Sequence, residues 1–211
     1  RQMCIRDRYK GDIYTVPVAG GRAMQITTNP AYDTAPVWSP DSKRIAFASD
    51  RMGSLDVYIV AKDGGEPRRL TTHSGSETPL AFTDAGHVLF SAGIMPSAEA
   101  VVFPSNGQFN QVYRVSVEGG RPTMISSMPM ECISINKEGA MLYQDKKGYE
   151  DYWRKHHVSP IARDIWMYTP GKEPQYRQLT TFGGEDREPV WAPDGKTFYY
   201  LSEENGSFNI Y

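Results

Sequence analysis

Short runs of apolar and polar residues follow one another along the chain, each closed by Gly, Pro, Asp or Ser. RIAFAS at 44–49, HVLFSA at 87–92, MLYQD at 141–145 and TFYYLS at 197–202 have the length and residue types of strands. Other runs are apolar at every position. Val57, Ile59 and Ala61 alternate with Tyr58 and Val60, so both faces of that strand carry apolar side chains. A strand packed on both sides reads this way. Between the runs, Pro40-Asp41-Ser42 and Pro193-Asp194-Gly195 put Pro where its fixed φ suits a tight turn. Asp63-Gly64-Gly65 and Glu118-Gly119-Gly120 supply positive-φ residues for further hairpins. The pattern predicts strands and turns, with no obvious helix among the repeated elements.

The runs recur in a fixed order. PVWSPDSK at 36–43 returns as PVWAPDGK at 189–196. DIYTVPVAGG at 12–21 returns as DVYIVAKDGG at 56–65, QVYRVSVEGG at 111–120 and DIWMYTP at 164–170. Each of these is followed by an apolar-plus-hydroxyl strand: Ile26-Thr27-Thr28, Leu70-Thr71-Thr72, Ile125-Ser126-Ser127 and Leu179-Thr180-Thr181. These last strands start 44, 55 and 54 residues apart. That period, with four short strands per repeat, is the mark of a β-propeller blade. The fold class expected is all-β, a partial β-propeller of four-stranded antiparallel blades. Three complete blades are expected at about 35–72, 78–127 and 130–181. Residues 9–28 are expected to supply only the third and fourth strands of an earlier blade. Residues 188–211 are expected to supply two strands and stop inside a third. The chain then reads as an arc of a larger ring. Phe82-Thr83-Asp84-Ala85-Gly86 and Ile135-Asn136-Lys137-Glu138-Gly139 depart from the turn pattern, so looser inner strands are expected in those two blades.

Composition narrows the function classes. Of 211 residues, 39% are hydrophobic and 23% charged, which fits a globular chain rather than a disordered tail. Lys and Arg number 23 against 25 Asp and Glu, a net charge of −2 without a basic cluster, which argues against nucleic acid as the main partner. No apolar run approaches the roughly 18 residues of a membrane span. QMCIRDR at 2–8 resembles the in-frame read-through of a sequencing-library transposase end, so residues 1–8 are set aside as a non-native leader and the propeller is taken as 9–211. The alternative is a natural basic N-terminus. Setting Cys4 aside leaves Cys132 alone, without a partner for an internal disulfide.

Function is sought where the chain departs from its own repeat. Phe47 to Val57 and Tyr200 to Ile210 are each 10 residues, whereas Phe90 to Val112 and Tyr143 to Ile165 are each 22. Two consecutive blades therefore carry insertions between their second and third strands, at 93–110 and 146–163. Strand alternation predicts that both emerge on one face, and loops on a rigid scaffold commonly carry binding. The first insertion is apolar and broken by Pro and Gly. The second runs from Glu150 and Asp151 to Arg154, Lys155, His156 and His157, an order that complements a helix dipole over two turns. The candidate docking or substrate-contact residues are Phe103, Phe109, Tyr149, Tyr152, Trp153, Arg154, His156 and His157. The alternative reading has Tyr149, Tyr152 and Trp153 merely capping a blade edge.

No catalytic, cofactor or metal site is assigned. His156-His157 has no third ligand at metal-like spacing. No nucleophile elbow, zinc-protease helix, phosphate loop or dinucleotide fingerprint occurs. Asp12, Asp56 and Asp164 open equivalent strands and are read as structural hydrogen-bond acceptors, with Asp50-Arg51 as a turn contact.

The repeat WSPDSKRIAFASDRMGSLDVYIVAKDGGEPRRLTTH at 38–73 resembles those of the TolB-like propeller group. The longer string KGDIYTVPVAGGRAMQITTNPAYDTAPVWSPDSKRIAFASDR at 10–51, with KKGYEDYWRKHHVSPIARDIW at 146–166, resembles the N-terminal propeller of bacterial tricorn-like serine proteases. In that family a catalytic serine domain, usually with a PDZ module, lies C-terminal to the propellers. The resemblance implies a non-catalytic segment that gates or guides peptide or protein substrates, or docks on the protease core. It implies no cofactor. Exported members imply the periplasm or cell envelope, and intracellular tricorn the cytoplasm as the alternative. Two other readings stay open: a TolB-like protein-binding module of the envelope without enzymatic activity, and the propeller cap of a prolyl-oligopeptidase-type hydrolase.

Overall fold

The structure, a computed structural model, describes residues 4–93, 110–148 and 158–211. All regular secondary structure among them is β-strand. The chain divides into two compact units, Arg1–Ser127 and Met128–Tyr211.

The first unit holds three antiparallel sheets, each with its strands in chain order. The first sheet is β1 (Cys4–Tyr9), β2 (Asp12–Pro17) and β3 (Met24–Gln25). The second is β4 (Asp33–Trp38), β5 (Arg44–Ser49), β6 (Asp56–Ala61) and β7 (Arg68–Arg69). The third is β8 (Glu77–Asp84), β9 (His87–Ala92), β10 (Gln111–Ser116) and β11 (Thr123–Ser126). The second unit holds two more: β12 (Met130–Ile135), β13 (Met141–Asp145), β14 (Ile165–Thr169) and β15 (Gln175–Gln178), then β16 (Asp186–Trp191), β17 (Phe198–Ser202) and β18 (Asn209–Ile210). These are three complete four-stranded blades and two three-stranded ones, in the expected order. However, β3, β7 and β15 end just before the expected Ile26, Leu70 and Leu179 segments, and only β11 overlaps its own.

The first blade has one strand more than the repeats predict. β1 pairs with β2 from Cys4↔Pro17 to Tyr9↔Asp12. Lys10 (φ 54°) and Gly11 (φ 90°) make the two-residue turn, both left-handed as a type I′ hairpin requires. Backbone pairing at an open sheet edge asks little of the side chains, which is why the repeat pattern did not reveal this strand.

The doubly apolar strand reading holds in the packing. In the second blade, Ile45, Phe47, Tyr58 and Val60 bury one face together with Ile13 and Ile26 of the first blade. Ala46, Val57 and Ile59 bury the other face against Phe82, Val88 and Phe90 of the third. Each large side chain fully buried in this way contributes about 1.5–3 kcal/mol by area. The predicted turns also form: Ser42 N donates to Ser39 O at 2.8 Å, and Gly195 N to Ala192 O at 2.9 Å. Trp38 and Trp191 close β4 and β16 at matching positions, opposite Ile45 and Phe198.

Three inner strands carry the same irregularity. The register shifts between Thr34 and Val37, between Glu131 and Ser134, and between Arg187 and Val190. Inside each shift sits a left-handed non-glycine residue: Ala35 (φ 48°), Cys132 (φ 51°) and Glu188 (φ 54°). β12 thus keeps the regular bulge, contrary to the looser strand expected there. Only β8 departs, with two shifts, between Pro79 and Ala81 and between Phe82 and Asp84. The left-handed conformation costs an alanine about 1–2 kcal/mol, and glycine's greater unfolded freedom returns part of that. Ala35→Gly is therefore expected to raise stability by about 0.5–1 kcal/mol, read as a higher urea midpoint at unchanged slope. A lower midpoint would mean that the Ala35 side chain contributes more by packing than its backbone costs.

Candidate functional site

Phe103, Phe109, Tyr149, Tyr152, Trp153, Arg154, His156 and His157 all lie outside the described residues, as do nearly all of the first insertion and half of the second. What is described is the foot of the second insertion, and it is tied down by charge. Arg163 donates to Glu185 Oε1 at 2.7 Å and to Glu131 Oε2 at 3.3 Å, while Lys146 Nζ lies 3.1 Å from Glu131 Oε1. Lys147 pairs with Asp164 and, at 3.4 Å, with Asp145. Burial alone would raise the Glu131 carboxyl, but Lys146, Gln144 and Arg163 carry it below its ordinary value. Asp145 goes the other way, because burial outweighs the backbone N–H of Asp164 and the charge of Lys147.

The described residues also form a motif at the blade junctions that the repeats only hinted at. The first hydroxyl residue after the fourth strand of the repeat turns its oxygen toward the third strand. Thr27 Oγ1 accepts from Ile13 N at 3.0 Å, Thr71 from Val57 N at 2.9 Å and Thr180 from Ile165 N at 2.9 Å. Beside each N–H donor stands an acid (Asp12, Asp56, Asp164), and a second acid opens the next blade: Asp33, Glu77 or Asp186. All three of these second acids are buried to 1% exposure or less.

The three junctions neutralise their acids differently. Arg51 reaches Asp33 with both oxygens at 3.0 and 3.1 Å, takes Ser49 Oγ at 2.8 Å, and lies over the rings of Tyr58 and Phe47 at 4.6 and 5.5 Å. Asp50 Oδ1 accepts Tyr32 N at 2.8 Å, so Asp50-Arg51 is a turn contact. Asp12 accepts from Gln25 Nε2 at 3.0 Å.

At the second junction, Arg69 Nη2 lies 2.8 Å from Asp56 Oδ2, and Glu77 stands beside Asp56. Burial, with Asp56 beside it, pushes the Glu77 carboxyl up to about 7 despite hydrogen bonds from Thr71 and His73. A neutral Glu77 donates its proton toward Asp56, which lets two acids occupy one apolar junction. At the last junction, burial again raises Asp186, helped by Asp164 and Glu204 and opposed by hydroxyls of Ser202 and Thr180. Asp33, Glu77 and Asp186 were missed in the sequence. Their signal was an acid two or three residues before a proline, in DTAP, ETP and DREP. Among the described residues no group of three His, Cys, Asp or Glu is arranged to hold a metal ion.

The tricorn protease N-terminal beta propeller domain family matches residues 5–211. The chain belongs to this family. Tricorn protease homolog 1 of Streptomyces coelicolor is 23% identical over 201 residues, 95% of this chain and 18% of that protein. The crystal structure of the tricorn protease superposes with a TM-score of 0.68 at 18% identity, over 100% of this chain and 21% of that one. TolB from Acinetobacter baumannii gives the same TM-score and identity over 94% of this chain and 45% of that one. These structural likenesses show the β-propeller fold. The tricorn-type segment spans about a fifth of the relatives' length, so the activity of a whole peptidase enters only as a proposal. No helix among the described residues is long and apolar enough to cross a membrane.

Proposed function

We propose that this segment is the non-catalytic propeller of a tricorn-like serine peptidase, where it gates or guides peptide substrates or docks on the protease core. The observation that carries the reading is the family match across 5–211. The loops at 93–110 and 146–163 would be the contact surface, through Phe103, Phe109, Tyr149, Tyr152, Trp153, Arg154, His156 and His157. The ion pairs at the foot of the second loop support this, since they hold its two ends in one place. Downstream PDZ and serine-protease domains would supply the chemistry, in the periplasm or cell envelope. Residues 1–8 are read as foreign to the propeller. In support, strand β1 has Asp7 at the register position that Phe47, Phe90, Tyr143 and Tyr200 occupy in the other blades.

The test uses the parent polypeptide that contains this segment. A serine-directed inhibitor is expected to abolish its peptide hydrolysis. Replacing 94–109 and 149–157 by short Gly-Ser links is expected to slow turnover of long peptides severalfold while sparing a dipeptide-sized reporter. A parent without inhibitor-sensitive hydrolysis would leave the second reading, a TolB-like protein-binding module, which the equal superposition on TolB supports.

A further inference from the structure

The last blade repeats the buried acid, the serine and the ring pair of the Arg51 site, with Glu204 where the arginine stands. Asp186 stands opposite Ser202 as Asp33 stands opposite Ser49. Tyr200 and Tyr211 pair with ring centroids 5.8 Å apart and tilted by 31°, where Phe47 and Tyr58 stack at 6.0 Å and 26°. Two residues beyond the serine, Glu204 N donates to Ser202 Oγ at 3.2 Å, as Arg51 N donates to Ser49 Oγ at 3.4 Å. The position that carries a guanidinium in the second blade therefore carries an exposed carboxylate in the fifth.

Arg51 lines a cleft of about 260 Å³ with Thr27 and Thr28. Glu204 lines one of about 370 Å³ with Thr180, Thr181, Phe182, Tyr200 and Asp186. The Asp186 side chain is buried at 1% exposure, and its Oδ1 has no hydrogen-bond partner among the described residues. Lys147 serves Asp164 and Asp145, and the Arg187 guanidinium lies 3.9 Å over the Phe208 ring.

We infer that this cleft binds the guanidinium of an arginine side chain in a peptide ligand. The bound group would take the place that Arg51 takes over Phe47 and Tyr58, with Asp186 beneath it and Glu204 at the mouth. A guanidinium fits better than an ammonium, because its planar fork meets a carboxylate with two N–H groups and its flat face stacks on the tyrosines. The inference rests on the peptide-handling reading for the source of the arginine, and on the cleft alone for the chemistry.

Binding of a labelled Gly-Gly-Arg-Gly-Gly peptide to the 211-residue chain, against citrulline and lysine twins, is the measurement. The arginine peptide is expected to bind at least about tenfold more tightly than either twin. Glu204→Arg is expected to fill the cleft from within, abolish that preference and raise the melting temperature, which also shows that the variant folds. Equal affinity for the arginine and citrulline peptides, including no binding of either, overturns the inference. So does a lysine peptide that binds as well as arginine, or a preference that survives Glu204→Arg. Peptide binding without arginine preference removes this site and leaves the peptide-handling reading standing. An arginine preference in a segment whose parent hydrolyses no peptide keeps the site and removes that reading.

Discussion

Arg51→Met is expected to destabilise the chain by about 3–5 kcal/mol, the usual cost of removing one partner of a buried ion pair. Asp33 is fully buried and Arg51 only 11% exposed by side chain, so neither charge is held by water. Methionine preserves much of the packing over Phe47 and Tyr58 but leaves the Asp33 carboxylate with no cation at 3.0 Å. Asp33→Asn in the same background should recover much of the loss, because the uncompensated charge goes with it. Urea unfolding of the two single variants and the double variant gives the coupling directly. A loss below about 1 kcal/mol for Arg51→Met would place this pair with exposed surface bridges and remove the rationale for the arginine.

Glu77 should make the chain less stable as pH rises through the mild acid range. Its carboxyl is at about 7 in the folded chain against an ordinary 4.5, so the folded state holds the proton more tightly. Below pH 4.5 both states are protonated and the contribution of the neutral acid is complete. Between 4.5 and about 7 the unfolded chain releases its proton first, so stability falls. Above that the loss is complete, at roughly 3 kcal/mol. Glu77→Gln keeps a neutral group of similar shape beside Asp56 and Thr71. Relative to the parent chain it is expected to gain that amount between pH 4.5 and 8, measured as the difference in urea midpoints. A difference that does not change with pH would mean that Glu77 is ionised in the folded chain and that Arg69 neutralises both acids.

The architecture was legible because strands packed on both faces are apolar at most positions. Val57 to Val60 and their counterparts recur in register, and blade boundaries fell within about three residues of the observed strands. The turns were legible because Pro-Asp-Gly and Asp-Gly-Gly carry their backbone conformation with them. The added strand β1 was not, since edge pairing uses backbone groups that every residue has. The regular bulge of β12 was hidden too, because Cys132 shares no residue type with Ala35 or Glu188 at the same left-handed position.

The acids show the division most clearly. Asp12, Asp56 and Asp164 declared themselves by recurring before equivalent strands. Asp33, Glu77 and Asp186 come from the next blade and look in sequence like ordinary polar residues ahead of a proline. Sequence alone determined most of the strands, the turns, the blade period and the family, all of which depend on local pattern. Only the tertiary structure decided which acids share a junction, which of them Arg51 neutralises, and where Glu204 leaves a buried carboxylate facing an open cleft. Those outcomes depend on the dielectric and the neighbours that packing brings together across a blade junction, and no single strand encodes them.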